Sequence, residues 1–198
     1  MARRRTVAHS RLFRNALLPA GSAAALVLAA ATGCATYQNY PPIETPQGDA
    51  AINDLNVPPA PELMGLALRA VVQRYPFEGE FVVNLPPGMT EHQARNVVAS
   101  IGDADARLAS PALKPLADQG QVLHVTQVWL RAEKGTVEIM RPNAGYVPWA
   151  TGKEHNSQVF RVRLASRWGK WKVEGIRLFV YDGMTPPVLN VWEEAPAP

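Results

Sequence analysis

The chain has 198 residues, 47% of them hydrophobic and 19% charged. That composition suits one domain of ordinary size with enough apolar side chains for a core, and it excludes a wholly disordered protein. The formal charge of +3 misleads, because Arg3, Arg4, Arg5, Arg11 and Arg14 all precede the first acid, Glu44. From Cys34 onward fifteen basic residues stand against seventeen acidic ones, so a nucleic-acid binder has no electrostatic basis.

Residues 1–15 are basic, and Ala16 to Ala31 are apolar apart from Pro19, Gly21 and Ser22. A charged start, a short apolar run and then small residues is the order of a secretory signal. The uninterrupted run Ala23–Ala31 is too short for a spanning helix, which needs about 20 apolar residues. Thr32 and Gly33 then precede Cys34, the only cysteine. Ala31-Thr32-Gly33-Cys34 resembles the lipobox of bacterial lipoproteins. The resemblance implies a signal peptide over residues 1–33, cleavage before Cys34, and attachment to a cell-envelope membrane through lipid on that thiol. It also favours the outer membrane, with the domain facing the periplasm or the exterior, because Ala35 stands where an Asp retains such proteins at the inner membrane. The alternative is ordinary cleavage after Ala31 or Ala35, which releases a soluble exported protein. On either route no cysteine pair exists, so the folded domain relies on its core, without disulfide or thiol chemistry.

Residues 34–60 are rich in Pro with no helical or strand period, and they read as an extended linker that holds the domain clear of the membrane. A single domain is expected over 61–192, and the tail 193–198 is expected to be disordered. Pro61-Glu62 opens a helix running from Leu63 to Arg74, apolar nearly all round and hence buried, and Tyr75-Pro76 stops it. Glu80–Leu85 is β-branched and aromatic, which predicts a strand. Thr90 and Gln93 form a capping box before Ala94, Val97, Val98 and Ile101, a helical repeat that Gly102 ends. Ser110-Pro111 starts a short helix that ends near Gly120.

Beyond Gly120 the period changes to two. Val122–Arg131 and Thr136–Arg141 read as one hairpin, and Gln158–Ala165 and Lys170–Tyr181 as another. The alternation slips at Glu174-Gly175, which predicts a β-bulge. The expected fold is α+β: an antiparallel sheet of about four to five strands with two to three helices packed on one face, after a disordered tether. Trp168-Gly169-Lys170-Trp171-Lys172-Val173 resembles the turn before the last strand in NTF2-like (cystatin-like) domains. That resemblance implies a curved sheet wrapped around helices, with a ligand pocket closed by the Trp171 strand.

No metal-binding, phosphate-loop, dinucleotide or nucleophile motif occurs, so no cofactor, metal site or catalytic residue is assigned. His92 reads as a solvated helix residue and His124 as a strand histidine in the core or at an edge. His155, in the long loop from Pro142 to Ser157, is the best candidate for a general base, and a hydrolase built on that loop is the least favoured reading. One feature rises above background. Arg161, Arg163, Arg167, Lys170, Lys172 and Arg177 fall within seventeen residues against one acid, Glu174, with Trp168 and Trp171 interleaved. Arg161, Arg163, Arg167, Trp168, Lys170, Trp171 and Lys172 are therefore the candidate binding residues, facing an anionic lipid or glycan or an acidic envelope protein. The function expected is that of a non-enzymatic envelope lipoprotein. The alternative is a small-ligand carrier of the NTF2-like kind.

Overall fold

The computed structural model describes residues 37–42, 54–142 and 156–192. Cys34, the signal segment, His155 and the tail 193–198 lie outside them.

Helix α1, Ala60–Arg74, has Pro in its first turn, Glu62 near its positive end and Arg74 near its negative end. Its buried residues, among them Leu63, Met64, Leu68 and Val71, surround most of the helix, as its all-round apolar sequence requires. Helix α2, Glu91–Ile101, begins where the capping box places it: Gln93 donates its backbone N–H to Thr90 Oγ1 at 3.3 Å. Gly102 ends it in the left-handed region, at φ 74°. Thr90→Ala removes that acceptor and is expected to lower stability by about 1 kcal/mol in urea melts, with the slope unchanged. The two helices meet at Gly65, where an added Cβ would run into Ser100 Oγ. Arg69 reaches from α1 to the last turn of α2, donating to the carbonyls of Ile101 (3.2 Å) and Ser100 and satisfying two orphaned acceptors.

The class is α+β, and the sheet is mostly antiparallel. It differs from expectation in strand number and in one strand's direction. Among the described residues seven strands pair: β1 (Tyr37–Tyr40), β2 (Phe81–Asn84), β3 (Ala106–Leu108), β4 (Val122–Arg131), β5 (Lys134–Pro142), β6 (Ser157–Arg167) and β7 (Lys170–Tyr181). Their order is β3-β2-β4-β5-β6-β7, and β1 lies alongside the second half of β4. β2 runs parallel to both of its neighbours. Parallel neighbours require crossovers, and here these set the layers. From β2 to β3 the chain crosses through α2 on the face that α1 shares. From β3 it returns across β2 to β4 on the other face, through a 3-10 turn at Pro111–Leu113 and the short helix α3, Lys114–Asp118. Leu113, Leu116 and Ala117 there pack on Val82 and Val122. The helices are thus split between two faces, and all four residues of β2 are buried.

The main core lies between the α1/α2 face and the sheet, filled by side chains that include Leu63, Phe81, Leu130, Ile139, Phe160 and Leu164. From Ala35 onward the chain forms one compact unit that contains this core and the whole sheet. Two findings correct the expected linker. Tyr37–Tyr40 is a strand, with Tyr37 opposite Arg131 and Tyr40 opposite Val128. Leu55 is buried in the core, so the folded body also begins before residue 61. The predicted bulge is present: Arg163 pairs with Gly175 and Leu164 with Val173, leaving Glu174 as the extra residue.

Candidate functional site

Register places the cations. Val162 and Leu164 of β6 face the helices, so Arg161 and Arg163 face the other way. Partners across a ladder share a face. Arg161 is opposite Glu138 and Arg177, Arg163 is opposite Thr136 and Gly175, and Ala165 is opposite Lys134 and Lys172. Lys134 in turn is opposite Arg131. The face away from α1 and α2 therefore collects Arg131, Lys134, Arg161, Arg163, Lys172 and Arg177 from four strands. Lys134 and Arg131 were not singled out in the sequence, since they belong to the first hairpin and only the pairing of β5 with β6 brings them here.

Arg161 and Arg177 stand directly opposite each other, an arrangement that costs energy unless one is neutralised. Glu138 does this, accepting from Arg161 Nε at 2.5 Å, and the Arg161 guanidinium lies 5.2 Å over the Phe179 ring. Among the described residues, Arg161 is the only one of the seven candidate binding residues in an ion pair. Arg163, Arg167, Lys170 and Lys172 are exposed.

The two tryptophans separate. Trp171 is half-buried on the helix side. It packs against the main core, and its Cζ3 lies 3.6 Å from where a Cβ on Gly135 would be. It therefore anchors the base of the hairpin and does not belong to the basic face. Trp168 is 99% exposed at the tip of the β6–β7 turn.

The other titratable candidates have plain surroundings. His92 is on the exposed side of α2, within 3.2 Å of Asn96 Nδ2. His124 is 3% exposed, and burial lowers its pKa from 6.5 to about 4, so it is neutral at pH 7. Its Nδ1 lies 2.8 Å from Asn84 Nδ2, which fixes Nδ1 as the acceptor. Ser157, fully buried with an unpartnered Oγ, sits on the same sheet face but two strands away, about 10 Å, too far for a nucleophile–base pair. Among the described residues no group of His, Cys, Asp or Glu is placed to hold a metal ion. No described helix is long and apolar enough to cross a membrane. A cleft of about 310 Å³ lies between α1 and α2, lined by Leu66, Arg69, Asn96 and Val97. The side chains of Leu63 and Trp171 lie beside Gly135 on the helix side of the sheet. No family model, curated protein or solved structure matches the chain, so the site is read from its own geometry.

Proposed function

We propose that this chain is a non-enzymatic envelope lipoprotein. On this reading it is acylated at Cys34, favours the outer membrane, and presents a basic sheet face to an anionic envelope component or an acidic protein partner. The observation that supports the reading is the gathering of six cations from four strands on one sheet face, with Arg161 paired to Glu138. The strand at Tyr37 alters the expected tether. Only Ala35 and Thr36 separate Cys34 from β1, and three residue steps span about 10 Å at most. A lipid on Cys34 then holds the sheet at the membrane surface and not at a distance from it.

The intact mass of the mature N-terminal peptide from host membranes tests the anchor. A diacylated Cys34 is expected, and an unmodified N-terminus at Thr32 or Thr36 overturns it. The carrier reading has the cleft between α1 and α2 on its side, and it takes first place if that unmodified N-terminus is found. The hydrolase reading centres on residues 142–157, and its general-base candidate His155 is outside the described residues.

A further inference from the structure

The geometry points to Trp168 and the cations beside it as a membrane-seating tip, which enters the headgroup region of an anionic bilayer. The inference deepens the proposed function and rests on it for the identity of the membrane; the contact itself is argued from the hairpin.

The turn Arg167-Trp168-Gly169-Lys170 has two central residues at positive φ, 56° for Trp168 and 72° for Gly169. Two-residue hairpin turns of that kind favour Asn, Asp or Gly at both places, because a Cβ is strained there. A tryptophan is thus the opposite of what the local backbone favours, and its ring gains no packing in return, being 99% exposed. Trp129, Trp171 and Trp192 are all partly buried. Neither turn formation nor the core accounts for Trp168.

Its position narrows the choice of partner. Lys134 pairs with Ala165, so the β4–β5 turn at Ala132-Glu133 ends while β6 continues through Ser166 and Arg167. The β6–β7 tip therefore projects two residues further, about 7 Å. Arg167, Gly169 and Lys170 around the ring are exposed, and among the described residues Trp168 is the one exposed large hydrophobic in this turn. A protein partner needs roughly 1,000 Å² of interface with a packed apolar centre, which a convex tip with one aromatic does not offer. A bilayer interface needs only an amphipathic ring at headgroup depth and cations for the anionic phosphates. Arg167 and Lys170 flank the ring, with Lys172, Lys134 and Arg163 in the next rows. Glu133 is the acid at this end.

The entry of the chain points the same way. Tyr37 opens β1 opposite Arg131, in the ladder row that continues through Lys134 and Ala165 to Lys172. The N-terminal end of β1 and the Trp168 tip thus lie at the same end of the sheet, the tip between the third and fourth strand spacings from β1, roughly 17 Å across the sheet. Lipid on Cys34 and the indole of Trp168 would enter the same surface at two points and fix the domain's orientation on it.

The test uses the unacylated chain from Ala35, the compact unit that keeps the whole sheet and core. Co-sedimentation is measured with vesicles of phosphatidylcholine alone and with about a third phosphatidylglycerol. Binding is expected only to the anionic vesicles, weakening as salt rises. Trp168→Asn, which suits the turn, is expected to reduce partitioning about tenfold while melting at or above the wild-type temperature. Arg167→Glu with Lys170→Glu is expected to abolish binding with the fold retained, whereas Trp168→Tyr, with the cations in place, is expected to keep most of the wild-type binding. Equal binding of wild type and Trp168→Asn overturns the proposal, as does the absence of binding to anionic vesicles. Trp168-dependent association with an envelope protein in place of lipid also overturns it and makes the tip a protein contact. Because the chain used carries no lipid, failure here leaves the mass result at Cys34 standing, and failure there leaves this one standing.

Discussion

Acidification from pH 6.5 to pH 4 is expected to cost the domain about 3 kcal/mol through His124 alone, beyond what its carboxylates contribute. The cause is burial. His124 is 3% exposed in the sheet, and desolvation of the imidazolium lowers its pKa from 6.5 to about 4. The unfolded chain therefore binds the proton first. Between about pH 4 and 6.5 it holds more protons than the native state, so stability rises with pH through that window, by at most about 1.4 kcal/mol per unit. Above the window His124 is neutral in both states and its contribution is complete; below it both states are charged and nothing more is lost. The hydrogen bond adds to the same sign. Asn84 Nδ2 donates toward His124 Nδ1, and a proton there would set donor against donor. The amide cannot turn over without loss, because its oxygen accepts from the Asn190 N–H at 2.8 Å. His124→Asn puts an amide oxygen near the Nδ1 position and removes the titration. Urea melts of both proteins from pH 4 to pH 8 are expected to diverge steadily below pH 6.5. Parallel curves would show that folding leaves the pKa of His124 where it is in the unfolded chain.

The local elements were legible where a short-range rule decides them. Thr90 with Gln93 and Gly102 bounds α2 because caps act within one turn, and the slip at Glu174-Gly175 shows the bulge because the period of two is broken inside one strand. Pairing over long separations was not legible. Phe-Val-Val-Asn at 81–84 shows that a strand is buried on both faces, which is how a parallel strand reads, yet nothing in it says that Ala106–Leu108 and Val122–His124 are its neighbours. β1 and β3, with four and three residues, are too short to show any period. The basic face follows the same division. Its β6–β7 half was visible as alternating cations, whereas Arg131 and Lys134 join only through the β4–β5–β6 register. Trp168 and Trp171 sit three positions apart around a two-residue turn. Which of them packs inward is decided by the ladder, with Ser166 opposite Trp171 on the helix side.

Asn84→Ala is expected to destabilise the domain by about 2–4 kcal/mol, the cost of orphaning several buried polar groups at once. Asn84 is 4% exposed at the end of the parallel strand β2, and its amide holds three partners. It donates toward His124 Nδ1 at 2.8 Å and to the Val188 carbonyl at 3.1 Å, and it accepts from the Asn190 N–H. The C-terminal segment has no ladder of its own here, so this side chain clips it to the sheet, aided by Asn190 Nδ2 donating to the Pro86 carbonyl. Leu189 and Trp192 are thereby laid over Val82 and Val122. Without the clip the segment is expected to lift before the sheet unfolds, detected as earlier protease cleavage after Val188 and a red shift of Trp192 emission below the main transition. A single transition with unchanged cleavage would mean that apolar contact alone holds the segment. Asn84→Asp separates the donor from the acceptor role. Its carboxylate still accepts from Asn190 but meets the Val188 carbonyl and a neutral His124 as an uncompensated buried charge at pH 8. At pH 5 a protonated His124 supplies the missing donor and the opposite charge, so His124 in that variant titrates upward, not downward. The stability of Asn84→Asp relative to wild type is therefore expected to improve as pH falls, reversing the slope that His124 imposes on the native protein.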